Sequence, residues 1–171
     1  MAEHLESTAI TPHAGLLKIP SCALALSFGA GLSPWAPGSV GALVAFPIFA
    51  VIGNLPLAVN ALVIVALFVL GCVACSNAEQ VLGKSDHGAI VWDETIGLLL
   101  VLLVAPASPW WWAASYVAFR FFDILKPWPI RLADVYAKGG VAVMADDVLA
   151  AVYAAASIWL ANYIITSVLT G

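Results

Sequence analysis

Two adjacent pairs of acidic residues are the part of the sequence best suited to chemistry. Asp93 precedes Glu94, Asp146 precedes Asp147, and each pair borders a long uncharged run. Carboxylates brought together without a cation must take up protons, because their charges repel each other. A divalent ion removes that penalty, and oxygen ligands favour Mg²⁺, Ca²⁺ or Mn²⁺. The pairs therefore predict a metal site, to which Asp123 adds a further carboxylate.

Acids at the start of a helix also have a purely structural explanation. The helix dipole stabilises them there by about 0.3–1 kcal/mol, and Asp is a favourable N-cap residue. This explanation covers one acid of each pair. It does not cover Asp123, which is expected in the last turn of a helix, where negative charge is unfavourable.

Basic residues accompany the acids. Arg120, Asp123 and Lys126 recur at intervals of three and would share one helix face if the helix reached Lys126. Salt bridges alone would explain the spacing, but Arg and Lys beside a metal-binding Asp would also bind a phosphate. The Pro37-Gly38-Ser39 segment opens a helix whose amides and Ser39 hydroxyl could accept an anion, although an ordinary turn and N-cap gives the same pattern.

A proton donor or acceptor is available beside these groups. His87 follows Asp86 and is the only histidine near the other candidate residues. Either side chain could transfer a proton, and a solvated loop histidine is the alternative interpretation of His87.

The composition indicates what kind of protein holds these residues. Of 171 residues, 63% are hydrophobic and 9% are charged, and the mean hydropathy is +1.03. These values exclude an ordinary soluble domain, and a net charge of −4 offers no basic surface to nucleic acid. We expect an all-α integral membrane protein with a polar N-terminal tail (residues 1–18) and a single membrane-embedded domain (residues 19–171).

Turn residues divide the uncharged runs into segments of membrane length, which is roughly 20 residues per helix. The sequence predicts about five transmembrane or re-entrant helices, with irregular backbone at 32–39 and turns at 54–56 and 106–109. Residues 19–32 are either a re-entrant or interfacial segment or a further span. The predicted helices cover residues 40–53, 56–77, 91–106, 109–125 and 148–169.

Pairing these helices as hairpins places all charged blocks on one side of the membrane. The lysines and arginines make that side cytoplasmic by the positive-inside rule. Asp93 and Glu94 then lie in the first turn of the third span and Asp123 in the last turn of the fourth. Asp146 and Asp147 are expected immediately before the last span. Trp110, Trp111 and Trp112 fit an aromatic belt at the far interface.

Four sequence blocks contain nearly all of these candidates. They are GAGLSP with PGSVG (29–41), DHGAIVWDETIG (86–97), FRFFDILKPWPI (119–130) and GG with MADD (139–147). In this order they resemble the phosphatidylglycerophosphatase A family over residues 29–147. The chain has Ala142 and Ala151 where the family usually has glycine, and Ser39, which keeps the hydroxyl, where it usually has threonine.

The resemblance implies a Mg²⁺-dependent phosphatase of the bacterial inner membrane, with its active site facing the cytoplasm. Its substrate would be the phospholipid phosphatidylglycerophosphate and its products phosphatidylglycerol, a precursor of cardiolipin, and inorganic phosphate. Matching positions carry the family's acidic and basic motifs onto seven residues of this chain. These are Asp86, Asp93, Glu94, Asp123, Lys126, Asp146 and Asp147.

The mechanistic hypothesis gives each candidate residue a role. One or two Mg²⁺ ions are held by five carboxylates, while Arg120 and Lys126, with Ser39, bind the phosphate. Water or an aspartate attacks phosphorus, and Asp86 or His87 transfers a proton. The five expected metal ligands are Asp93, Glu94, Asp123, Asp146 and Asp147. A catalytic role is also expected for Asp93, Asp123 and Asp147.

Other function classes remain open at this point. A cation or proton transporter or channel would also have acids near broken helices, although it would be expected to carry charge in the middle of a span. A different lipid enzyme and a structural membrane subunit are further alternatives. Neither the oligomeric state nor activity on other lipid phosphates follows from the sequence.

Overall fold

The computed structural model describes residues 10–128 and 140–170, and within these ranges every regular element is helical. Two short 3₁₀ helices, Ala14–Lys18 and Ser27–Leu32, flank the first α-helix. The all-α class predicted from the sequence is confirmed. The seven α-helices of the described ranges are α1 (Pro20–Ala25), α2 (Pro37–Leu43), α3 (Ala45–Ile52), α4 (Leu57–Leu82), α5 (Trp92–Val104), α6 (Pro109–Leu125) and α7 (Gly140–Thr170).

Two of these helices are long and apolar enough to cross a membrane. They are α4, with 26 residues, and the Val143–Leu169 part of α7, with mean hydropathies of 2.7 and 1.8. Large apolar side chains stand exposed along both, including Leu62 and Val69 on α4 and Trp159 on α7. Five membrane helices remain a prediction.

The segment 19–32 is not one helix. It divides into α1 and the second 3₁₀ helix, and the backbone turns left-handed at Ser27, Phe28 and Gly29, with φ of 45°, 57° and 107°. L-residues avoid this conformation in a continuing helix. The option of a single spanning helix at 19–32 is therefore wrong.

The predicted helix over 40–53 is also divided, and it begins earlier than expected. Pro37, which suits the first position of a helix, starts α2, so the irregular segment ends at Ala36 rather than at residue 39. A second helix, α3, follows from Ala45. Pro47 explains the break, because it has no N–H to donate to the Leu43 carbonyl four residues earlier.

Helix α5 lies at the centre of the molecule. It packs against α2, α4, α6 and α7, and Ile96, Leu98, Leu99 and Leu102 are fully buried. Gly97 lets the Phe119 ring of α6 approach so closely that a Cβ there would lie 2.5 Å from two ring carbons. This packing holds the N-terminus of α5 in place against its neighbours.

The two uncharged turns lie at one end of the molecule, as the hairpin topology predicts. Residues of both turns, Asn54 and Ala107, line one cavity of about 220 Å³. The same helices carry their charged ends to the opposite end. That charged end contains the start of α5, the end of α6 and the first part of α7.

Candidate active site

Three carboxylates from two helices meet at the charged end. Asp93 and Glu94 lie in the first turn of α5, and Asp147 lies in α7. One oxygen of each lies within 4.8 Å of the others. Asp147 is 3% exposed and Asp93 is 9% exposed. We call these three residues the carboxylate cluster.

The cluster contains acceptors that no described residue uses. Asp93 Oδ1, Glu94 Oε2 and Asp147 Oδ2 are buried and accept no hydrogen bond from the described residues. A buried carboxylate oxygen without a partner is costly. Three carboxylates gathered in this way match the oxygen donor set that a hard divalent cation prefers. The residues present therefore fit a metal ion.

Arg120 and Asp123 border the cluster, and both come from α6. Asp123 lies near Asp147. Arg120 Nη1 lies 2.5 Å from Asp123 Oδ2 and 3.7 Å from Glu94 Oε1. Arg120 Nε is buried and donates to no acceptor in the described part of the chain. The guanidinium therefore joins two carboxylates and keeps a donor for another anion.

Lys126 and Asp146 form a second ion pair, with 2.6 Å between Lys126 Nζ and Asp146 Oδ2. The predicted face shared by Arg120, Asp123 and Lys126 is only partly formed. Helix α6 ends at Leu125, and Lys126 is left-handed, with φ of 43°. Asp146 turns toward Lys126, and its role as a metal ligand stays a prediction.

Asp146 and Asp147 lie inside α7 rather than immediately before the last helix, so that expectation was wrong. The helix begins at Gly140, whose N–H donates to Ser76 Oγ of α4 at 2.8 Å. A Cβ at Gly140 would lie 2.0 Å from the Cys72 carbonyl oxygen. This close approach to α4 starts the helix early. The sequence did not reveal it, because the helix was taken to start after the last charged residue.

The start of α2 reaches the same site through Gly38. A Cβ at Gly38 would lie 2.1 Å from Glu94 Oε1 and 3.2 Å from Arg120 Nη1. Only glycine leaves room for both side chains here. The neighbouring Ser39 accepts a hydrogen bond at its carbonyl oxygen from Tyr116 Oη at 3.2 Å. Sequence reasoning considered the Ser39 hydroxyl and missed Gly38, which the Pro-Gly-Ser pattern could have suggested.

A buried hydroxyl network beneath the cluster was also missed. Thr95 Oγ1 donates to the Gly41 carbonyl at 2.8 Å and lies 2.8 Å from Ser27 Oγ. Ser27 Oγ also lies 3.1 Å from the Val91 carbonyl. The network ties α2 and the second 3₁₀ helix to the first turn of α5. The only sequence signal was a threonine directly after the Asp93-Glu94 pair.

Asp86 and His87 lie on the loop between α4 and α5. Glu79 Oε1 accepts hydrogen bonds from the Asp86 N–H at 2.7 Å and from Ser85 Oγ at 2.9 Å. His87 Nδ1 accepts one from the Ala89 N–H at 3.1 Å. In the described ranges, neither side chain forms a hydrogen bond or ion pair with the carboxylate cluster. Their predicted catalytic roles remain predictions.

The comparisons with known proteins agree on one family. Residues 23–162 match the family model described as phosphatidylglycerophosphatase A. Phosphatidylglycerophosphatase A of Escherichia coli K12 is 40% identical over 141 residues, which are 82% of each chain. The protein of the same name from Haemophilus influenzae is 42% identical over 142 residues, which are 82% of this chain and 87% of the relative.

A third relative has a different name. A protein of Bacteroides thetaiotaomicron, provisionally named phosphatidylinositol-3-phosphatase, is 40% identical over 146 residues, or 81% of this chain and 91% of its own. No solved structure matches the chain.

Proposed function

This chain belongs to the phosphatidylglycerophosphatase A family, and we propose that it hydrolyses the terminal phosphate monoester of phosphatidylglycerophosphate. The products are phosphatidylglycerol and inorganic phosphate, so the enzyme is a phosphoric monoester hydrolase. The reaction would complete phosphatidylglycerol synthesis and precede cardiolipin formation.

The observation that carries this proposal is the carboxylate cluster with Arg120 at its edge. Its buried oxygens lack hydrogen-bond partners in the described ranges. Arg120 Nε is a buried donor that has no hydrogen-bond acceptor there. The carboxylate oxygens suit a cation, and the neighbouring Arg120 donor suits an anion. Binding a phosphate together with a metal ion requires both.

We propose Mg²⁺ as the cofactor, held by Asp93, Glu94 and Asp147 with Asp123 beside them. When bound, Mg²⁺ would supply positive charge against the phosphate oxygens as negative charge moves onto the leaving group. Metal titration would measure whether one or two ions bind. Substitution of Asp146 would show whether this residue is among the ligands.

The chain's own side chains would carry out the remaining work. Arg120 directs its free Nε donor to a phosphate oxygen, and Lys126 adds positive charge from the end of α6. Water is the simplest nucleophile, and a cluster carboxylate accepts its proton as the new P–O bond forms. The bond to the glycerol oxygen breaks, and Asp86 or His87 returns a proton to that oxygen.

We further propose a multi-pass protein of the bacterial inner membrane with the cluster at the cytoplasmic face. The exposed apolar surfaces of α4 and α7 support burial in lipid. A phospholipid keeps its acyl chains in the bilayer, so its phosphate lies at the headgroup layer. The cluster at the charged end of the helices would meet the phosphate at that depth.

The test is inorganic phosphate release by the purified protein in detergent, with phosphatidylglycerophosphate as substrate. Activity should disappear with EDTA and return with Mg²⁺. Phosphatidylinositol 3-phosphate and phosphatidic acid, assayed in parallel, would show which headgroups are accepted. Folded protein that releases no phosphate at any Mg²⁺ concentration would refute the proposal and favour a transporter or channel.

A further inference from the structure

An apolar groove runs along the outside of α6, between this helix and the α2–α3 pair. Its volume is about 350 Å³, and it is lined by Leu43, Phe46, Pro109, Trp112, Ala113, Tyr116 and Val117. We call it the α6 groove. The lining residues of α6 extend over about 12 Å at 1.5 Å per residue. No lining side chain is charged, so the groove suits a hydrocarbon chain rather than a headgroup.

The α6 groove begins one helical turn from the active site. Tyr116 lines the groove and donates its hydroxyl hydrogen to the Ser39 carbonyl at 3.2 Å. Arg120 lies four residues further along α6, on the same side of the helix. Gly38, the residue before Ser39, contacts Glu94 and Arg120. The two helices that line the groove, α2 and α6, therefore also border the carboxylate cluster, through Gly38 and Arg120.

We propose that the α6 groove holds one acyl chain of the lipid substrate while its phosphate lies at Arg120 and the carboxylate cluster. This inference rests on the proposed function. Hydrophobic burial adds little to the binding of a chain in the groove, because the surrounding lipid is equally apolar. Its contribution is orientation, because a chain fixed in the groove holds the phosphate in line with the attacking group.

Among the described residues, two further apolar grooves suit this role less well. The groove between α3 and α4 has a volume of about 520 Å³ and is also lined by Phe28. The Phe28 ring packs edge-on against Trp92, the residue before Asp93. The groove between α4, α5 and α7 is smaller, at about 210 Å³. Neither is lined by a residue that bonds to the start of α2, as Tyr116 does.

Filling the groove provides the test. Ala113 is an exposed residue of the groove wall, and Ala113→Phe would occupy the space for the acyl chain. The matched control is Ala156→Phe, an equal enlargement at an exposed position of α7 outside all three grooves. Each variant is assayed with a long-chain phosphatidylglycerophosphate in mixed micelles and with a dibutanoyl analogue too short to fill the groove.

We expect Ala113→Phe to lower kcat/KM for the long-chain lipid at least about tenfold, since misplacement of a substrate by 1 Å can cost about 100-fold. The dibutanoyl substrate should be hydrolysed at the parental rate, which also shows that the variant is folded. Ala156→Phe should change neither substrate. Equal effects on both substrates, or no effect on either, would overturn the groove proposal. Parental protein inactive on both lipids would instead refute the proposed function.

Discussion

At the scale of single residues, the acids of the site outnumber the cations that contact them within the described ranges. Asp93, Glu94, Asp123 and Asp147 lie together, and Arg120 is the cation that contacts them in the described ranges. Charges of one sign repel strongly where water is excluded. A protein that keeps such an arrangement is less stable without a bound cation than with one, and this difference can be measured.

Replacing Asp147 with Asn should stabilise the metal-free protein while it abolishes activity. The amide keeps the side-chain volume and removes one of the mutually repelling charges. In EDTA we expect the melting temperature to rise by about 2–8 °C, corresponding to about 1–2 kcal/mol. Phosphate release should fall at least about 100-fold, and Mg²⁺ should no longer raise the melting temperature.

Glu6→Gln, which removes a carboxylate far from the cluster in the sequence, is the control for that experiment. It should leave both activity and the response to Mg²⁺ unchanged. If Asp147→Asn melted lower in EDTA and still responded fully to Mg²⁺, Asp147 would not belong to a cation site.

Gly38→Ala should impair catalysis much more than stability. The new Cβ would overlap Glu94 Oε1, which lies 2.1 Å from its position. Because that oxygen ends a flexible side chain, the carboxylate can move aside at low cost, and it then leaves its place in the cluster. We expect a loss of activity of about tenfold or more and a small change in melting temperature.

Gly88→Ala is the matched comparison for this substitution, since a Cβ there would meet nothing within 4 Å. It should retain parental activity. Parental activity in Gly38→Ala would mean that the position of the Glu94 carboxylate does not matter for the reaction.

At the scale of elements, the first turn of α5 is held by the hydroxyl network of Thr95 and Ser27. Both residues are buried, and the network reaches the backbone of α2 at Gly41. The turn it holds also carries Asp93 and Glu94. The network therefore determines how the beginnings of α2 and α5 sit relative to each other at the site.

Thr95→Val should destabilise the protein by about 0.5–1.5 kcal/mol, because it removes the buried hydrogen bond from the Thr95 hydroxyl to the Gly41 carbonyl. Thr95→Ser keeps the hydroxyl and should recover most of that loss. Thermal unfolding of the three proteins measures the difference. Equal melting temperatures for Thr95→Val and the parent would show that the network contributes nothing to stability.

The sequence predicts some elements of this fold almost to the residue. The helix expected over 109–125 is α6, because Pro109 starts it and Pro127 follows its end. The start of α7 was not predictable in this way, since it depends on Gly140 contacting Ser76 across the structure. The pairing of Lys126 with Asp146 rather than along one helix face likewise depends on tertiary packing.

The same distinction applies to the candidate site. The types of residue in the adjacent acidic pairs were sufficient to predict a metal site, and three of those carboxylates meet in the structure. Gly38 and Thr95 carry no reactive group, so only their positions against Glu94 and Gly41 reveal their contributions. Asp86 and His87 have reactive groups and were expected between the helices over 56–77 and 91–106, but the sequence could not show that, within the described ranges, they form no hydrogen bond or ion pair with the cluster.

At the scale of the whole molecule, the carboxylate cluster lies at one end of the described helices. The two hairpin turns lie together at the other end, where Asn54 and Ala107 line one cavity. If both hairpins cross the membrane, the turns and the loop between α4 and α5 must face opposite compartments.

Single cysteines can test this arrangement in intact cells. Ala107→Cys should react with a membrane-impermeant maleimide added outside, whereas Lys84→Cys, on the exposed loop between α4 and α5, should react only after the membrane is opened. The parental chain measures the background from its own cysteines, of which Cys22 and Cys75 are buried and Cys72 is half-buried. Labelling of both positions from outside would refute the proposed topology.

The location of the candidate site at one end of the helices also determines how the reaction responds to membrane potential. The runs 19–78, 95–119 and 148–171 contain no Asp, Glu, Lys or Arg, so the proposed spans carry no such charge at mid-membrane. Phosphate is then released on the side where the substrate binds, and no charge crosses the field. Voltage acts only on charge that moves, at about 2.3 kcal/mol per charge per 100 mV. Turnover in vesicles should therefore be the same with and without an imposed potential, and a de-energised cell could still complete this step of lipid synthesis.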